Sequence, residues 1–228
     1  MSPAPEKFAP LLDGLRACIL DLDGTLVDTL GDFEAALAGM LQALGRPALA
    51  RAVIEPLVGQ GSQHLIGAVL QQIDGEPPGA ALQAAAWQHY QQAYRRINGR
   101  YSRVYAGVPE GLQALAARGL PLACLTNKPL EFARALLQAK GLAGCFQQVF
   151  GGDSFARKKP DPLPVLQTCQ ALGSAPGQTL VIGDSSNDAQ AARAAGCPVL
   201  LVSYGYNHGQ PIHSVAADGY LETLSQLG

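Results

Sequence analysis

The chain has 228 residues, 48% of them hydrophobic and 15% charged, which excludes a disordered polymer and a helical rod laced with ion pairs. Its length suits one domain, or a core domain carrying a smaller one. Lys and Arg number 16 against 18 Asp and Glu, and no basic run exceeds Arg157-Lys158-Lys159, so a nucleic-acid partner is not expected. Aliphatic stretches such as Val199-Leu-Leu-Val202 are far too short to span a bilayer, so no membrane association is expected either.

Residues 1–15 are rich in proline and alanine, lack an apolar core of signal-peptide length and read as a loose lead-in. Residues 16–21 form a short buried strand. From about residue 30 to 100 the pattern turns helical. Phe33, Leu37, Leu41 and Leu44 recur at spacings of three and four, and Gly45 stops the run. Leu82, Ala86, Tyr90, Ala93 and Ile97 repeat the pattern up to Asn98-Gly99. Two shorter helical segments lie between, joined around residues 59–62. Phe33, Trp87 and Tyr90 follow helical spacing and are assigned to packing, and His64 to the surface or a packed position. The loop over residues 59–64 is either a simple turn or a contact loop whose glycines let backbone approach a ligand.

After Tyr105, strands and helices alternate. Helix is predicted over 109–118, strand over 120–125, a helix opened by Pro129, a weak strand over 147–150, and helix over 161–172. Strand follows over 179–182, helix over 187–195 and strand over 198–202. This alternation implies an α/β fold, a Rossmann-like doubly wound parallel sheet covered on both faces. The expected division is a core of residues 1–29 and 104–228, interrupted by an inserted all-helical unit of residues 30–103.

The five cysteines (Cys18, Cys124, Cys145, Cys169, Cys197) lack CxxC spacing and sit mostly among apolar neighbours, so they read as reduced core residues of a cytoplasmic protein. The four histidines show no zinc-ligand spacing.

Parallel sheets present ligand-binding groups at the carboxyl ends of their strands. The first apolar run ends in Asp21-Leu-Asp23-Gly24-Thr25, the second in Thr126-Asn127-Lys128, and a later one in Gly183-Asp184-Ser-Ser-Asn187-Asp188. Singly these are bland: Asp-Gly marks turns, Thr-Asn caps helices, and Lys158-Lys159 would be a solvated pair. Together, in this order and at strand ends, they gather carboxylates beside hydroxyl, amide and ammonium donors. Two unit charges ~4 Å apart repel by about 4 kcal/mol at an effective dielectric near 20, so clustered Asp21, Asp23 and Asp184 need a cation. Oxygen-only ligands that leave room for water and phosphate suit Mg²⁺. A metal beside anion donors points to phosphoryl chemistry.

These motifs (Asp21-Leu-Asp-Gly-Thr-Leu-Val-Asp-Thr29, Leu125-Thr-Asn-Lys128, Lys159-Pro160 and Gly183-Asp-Ser-Ser-Asn-Asp188) resemble the four motifs of the haloacid dehalogenase superfamily. Within it, Val58-Gly-Gln-Gly-Ser62, Leu65-Ile66 and Lys159-Pro-Asp-Pro162 are similar to the phosphoglycolate phosphatases. The resemblance implies that residues 1–29 and 104–228 are a catalytic core and 30–103 an inserted all-helical cap domain, that Asp21 is the nucleophile that becomes phosphorylated, and that Asp23 is the general acid and base. It implies that Thr126, Asn127 and Lys159 bind the phosphoryl oxygens. Mg²⁺ would be held by Asp21, the Asp23 carbonyl and Asp184, with Asp188 ligating directly or through water. The substrate implied is a small phosphorylated metabolite, 2-phosphoglycolate foremost, with a phosphosugar mutase as the alternative activity. Lys159, next to Pro160, is chosen over Lys158.

Asp23 argues against a dehalogenase, which lacks the second aspartate. The absence of lysine from residues 30–103 argues against the phosphonate-cleaving branch, and the helical insert against a phospho-receiver module. Oligomeric state is not legible in the sequence.

Overall fold

The computed structural model describes residues 5–228. Its centre is a six-stranded sheet built from β1 (Ala17–Leu20), β4 (Leu122–Leu125), β5 (Gln148–Phe150), β6 (Thr179–Gly183), β7 (Val199–Val202) and β8 (Gly219–Leu221). The spatial order is β5-β4-β1-β6-β7-β8, and every pairing is parallel. β1 is central, with Ile19 opposite Ala123 on one side and Val181 on the other.

Strand residues alternate between two apolar clusters because successive side chains point to opposite faces. Cys18, Leu20, Cys124, Ile182 and Leu200 join the cluster under α6 (Val108–Ala117) and α7 (Leu130–Ala139). Ala17, Ile19, Ala123, Val181 and Leu201 join the one under α8 (Leu163–Ala171) and α9 (Ser186–Ala195). The α/β class matches the sequence reading, and the elements predicted after Tyr105 appear in the expected order.

The lead-in is not loose where it is described. Residues 5–12 form helix α1 (Pro5–Leu12), and Phe8 and Leu12, one turn apart, are buried in the first cluster. The Phe8 ring lies so near Gly219 of β8 that a Cβ there would meet Phe8 Cε1 at 2.7 Å. Residues 1–4 of that reading lie outside the described residues. β8 itself escaped the sequence reading, because three residues carry too little pattern to register as a strand.

Between β1 and α6 the chain leaves the sheet. A two-stranded ribbon, β2 (Val27–Asp28) antiparallel to β3 (Arg103–Val104), brackets a helical unit of α2 (Leu30–Ala43), α3 (Arg51–Ile54), α4 (Ser62–Asp74) and α5 (Ala80–Ile97). The unit has its own apolar cluster of Leu37, Met40, Ile66, Val69, Tyr90 and Tyr94. Asp32 is fully buried in α2 and accepts from the amides of Gly99 (2.8 Å) and Tyr101 (2.7 Å), tying the start of the unit to its end. Phe33 and Tyr90 are buried and Trp87 is half-buried, stacked on Tyr90. Cys145 is exposed and the other four cysteines are buried. No helix among the described residues is long and apolar enough to cross a membrane.

Candidate active site

β1, β4 and β6 end side by side, and the loops after them converge. Asp21 directly follows β1, and its amide donates to Ile182 O of β6 at 2.9 Å. Asp184 directly follows β6, and Asp188 sits in the first turn of α9, where its Oδ2 closes a capping box by accepting from Ser185 Oγ (2.7 Å) and Ser185 N (3.2 Å). One carboxylate oxygen from each of Asp21, Asp184 and Asp188 falls within 4.8 Å of the others.

The surroundings fit a hard cation. The donor set is all oxygen, as Mg²⁺ prefers. Asp184 is cradled by two glycines: a Cβ on Gly24, whose φ is +84°, or on Gly205 would overlap Asp184 Oδ2. Asp184 is further fixed by Thr25 Oγ1, which donates to Oδ1 at 3.2 Å, and by the Tyr206 amide, which donates to Oδ2 at 2.6 Å. Burial, then the nearby charges of Asp188 and Asp21, hold the Asp184 carboxyl well above the usual range. Asp21 is pushed up to about 7, first by burial and then by Asp188 and Asp23, against the opposing pull of Lys159. Three carboxylates, two buried and one half-buried, share one ammonium and are short of positive charge, which a divalent ion would supply.

That ammonium belongs to Lys159. Its Nζ donates to Asp188 Oδ1 (2.6 Å) and Leu125 O (2.7 Å) and lies 2.9 Å from Asp21 Oδ1. Burial alone would lower its pKa, but Asp188 and Asp21 outweigh that and raise it. Lys158 points elsewhere: its Nζ donates to Gln60 O in the loop before α4 at 2.6 Å. The structure thus places Lys159, not its neighbour, at the carboxylates.

The Thr126 side chain is buried, and its Oγ1 accepts from Lys128 N at 3.2 Å. Asn127 Nδ2 donates to Gly59 O (3.1 Å) and Lys159 O (2.9 Å), so its amide bridges the sheet edge to the helical unit. Asn187 Nδ2 reaches the same Gly59 O at 3.2 Å. The 59–61 segment is therefore in contact with the core, and His64 is exposed.

Asp23 accepts from Lys128 Nζ through both oxygens, at 2.8 and 3.0 Å. Lys128 was not singled out in the sequence; its place directly after Thr126-Asn127 at a strand end was the available signal. Also missed was the loop after β7. There Tyr206 OH accepts from the amides of Thr29 (2.9 Å) and Leu30 (3.1 Å) and donates to Asp28 Oδ1, while Asn207 Oδ1 accepts from Ser186 N at 2.9 Å. Its signal was position alone, since it too follows the carboxyl end of a core strand.

Together these groups define a hydrolase site on an α/β sheet edge. Residues 15–196 match the family model of the haloacid dehalogenase-like hydrolases. The chain is 44% identical over 213 residues to a phosphoglycolate phosphatase of Thiobacillus denitrificans, covering 93% of each chain. It is 42% identical over 211 residues to one of Nitrosospira multiformis, covering 92% of each. A solved structure of a predicted phosphoglycolate phosphatase from Haemophilus somnus 129PT superposes with a TM-score of 0.89 at 30% identity, covering 94% of this chain and 96% of that one. The chain belongs to the haloacid dehalogenase-like hydrolase family. Its relatives across nine-tenths of its length place it among the phosphatases of that family.

Proposed function

We propose that the chain is a Mg²⁺-dependent phosphomonoesterase that works through phosphorylation of Asp21, with residues 30–103 as a cap domain over the core. The observation that carries this reading is the meeting of Asp21, Asp184 and Asp188 within 4.8 Å beside Lys159. Mg²⁺, held by Asp21, Asp184 and the Asp23 carbonyl with Asp188 close by, would supply charge neutralisation for the incoming phosphate and for its transition state.

The chain's own groups do the rest. An Asp21 oxygen attacks phosphorus in line, the bond from phosphorus to the ester oxygen breaks, and the leaving alkoxide takes a proton from Asp23. Asp23, now a carboxylate, takes a proton from water. That water attacks the phosphoryl group, the bond to Asp21 breaks, and inorganic phosphate leaves with the Asp21 carboxylate restored. Thr126 Oγ1 donates to a phosphoryl oxygen, and Lys159 offsets the charge of both Asp21 and the phosphoryl group. Asn127 is assigned to the same phosphoryl edge, holding Gly59 of the cap loop against it. The cap excludes water during transfer.

The substrate we propose is a small phosphorylated metabolite, 2-phosphoglycolate foremost, as the names of the relatives suggest. A phosphate-release screen over metabolite phosphomonoesters with Mg²⁺ tests it. Multiple-turnover release with 2-phosphoglycolate at the head is expected. Equal and feeble rates on every ester would overturn the substrate assignment, and an isomer in place of phosphate would identify a mutase.

A further inference from the structure

Lys128 is a buried cation that the mechanism above does not use. Its side chain is 1% exposed, and its Nζ is bound to both oxygens of Asp23. The ammonium also sits 4.5 Å from the ring centroid of Phe33 and 5.0 Å from that of Tyr94, both on the cap helices. Aromatic faces favour a cation but do not neutralise it, and Asp23 is its one ion-pair partner among the described residues.

The cavity there is lined by Asp21, Asp23, Phe33, Leu65, Thr126 and Lys128 and has a volume of about 30 Å³. That holds about one water and no phosphomonoester. Gly61, Ser62 and Asn127 line both it and a larger cavity of about 900 Å³, and the Lys128–Asp23 pair forms part of its wall on the core side.

We propose that Lys128 determines specificity by binding an anionic group, a carboxylate, one carbon away from the ester carbon's oxygen in the substrate. The inference rests on the phosphatase reading and deepens its substrate class. Asp23 must face the ester oxygen to serve it, and Lys128 touches Asp23 at 2.8 Å. A carboxyl carbon two bonds from that oxygen therefore arrives beside the ammonium. The carboxylate takes over the partnership, so Asp23 turns to the ester oxygen without stranding a buried cation. A short neutral ester brings a methyl group to the same place and offers nothing in exchange. Phe33, Val58 and Leu65 close the cap side with apolar surface, which disfavours a longer polar chain. The class selected is the phosphomonoester of a short 2-hydroxycarboxylate.

The test compares 2-phosphoglycolate with ethyl phosphate, in which a methyl group replaces the carboxylate, in wild type, Lys128→Met and Lys128→Arg. Wild type should prefer 2-phosphoglycolate by about 100-fold or more in kcat/KM, and Lys128→Met should collapse that preference, chiefly through KM for 2-phosphoglycolate. Lys128→Arg should retain most of it. Equal losses on both esters in Lys128→Met would overturn the proposal, leaving Lys128 as a support for Asp23 only. Should Lys128→Met fail to fold, wild type decides: kcat/KM values for the two esters within a few-fold of each other overturn the proposal. Wild type inert on both esters, and on every other phosphomonoester, would instead sink the phosphatase reading itself.

Discussion

Lys159 Nζ lies 2.9 Å from Asp21 Oδ1, although 138 residues separate the two in the chain. β1 and β4 bring them together: Asp21 follows the first strand, and Lys159 is held to the end of the second by its bond to Leu125 O. A carboxylate attacking a phosphate dianion must have their mutual repulsion cancelled.

Lys159→Met should lower kcat by about 10²–10³-fold, the usual effect of removing one preorganised electrostatic contact. Lys158→Met should cost less than about 10-fold, because Lys158 Nζ donates to Gln60 O in the loop before α4 and not to the carboxylates. Steady-state phosphate release from both variants checks this, and the reverse ranking would contradict it.

Asp21→Asn should abolish turnover and change how the metal-free protein responds to pH. The Asp21 pKa is raised from 3.8 to about 7 in the folded protein, chiefly by burial. The folded state thus binds the proton more tightly than the unfolded state, so the stability linked to Asp21 is present at low pH and lost as pH climbs from about 4 to about 7. Melting temperatures of metal-free wild type should fall across that window more steeply than those of Asp21→Asn. Parallel curves would contradict the assignment.

Mg²⁺ should raise the melting temperature of wild type at pH 8, by mass action on the folded state. Asp184→Asn should need at least about 10-fold more Mg²⁺ for the same rise, since it removes a ligand charge from the cluster. Gly24→Ala should weaken the same response, as its φ is +84° and its methyl would overlap Asp184 Oδ2. Titration by differential scanning fluorimetry reads both.

Phe8→Ala should destabilise the fold by about 3 kcal/mol, the usual cost of truncating a buried Phe, as seen in urea unfolding. The surviving folded fraction should keep its kcat, because Phe8 packs against Gly219, the first residue of β8, whereas the site lies beyond the carboxyl ends of β1, β4 and β6. A loss below about 1 kcal/mol would return the lead-in to the status of a tether.

The central sheet was legible because β1, β4, β6 and β7 are short apolar runs, each closed by turn residues or by the site itself. The carboxylates were legible because they follow β1 and β6 in a distinctive motif set, and Lys159 because it stands directly before Pro160 in the same set. Helix α1 was not, because prolines at 3, 5 and 10 outweigh the spacing of Phe8 and Leu12, and only contact with β8 shows what that spacing is for. The β2–β3 ribbon pairs Val27 with Val104 and Asp28 with Arg103, 77 and 75 residues apart, in two-residue strands, below what any periodicity can signal. Lys128 was visible as a motif residue but its pairing was not: its burial depends on Phe33 and Tyr94 of the helical unit packing over it.

Acid quenching during steady-state turnover of 2-phosphoglycolate, followed by borohydride reduction and peptide mass spectrometry, tests the covalent route most directly. Reduction converts a phosphorylated aspartate to homoserine, and the account predicts homoserine at position 21 and at no other aspartate. Active enzyme whose Asp21 peptide stays unmodified, or that carries the homoserine at another position, would contradict it.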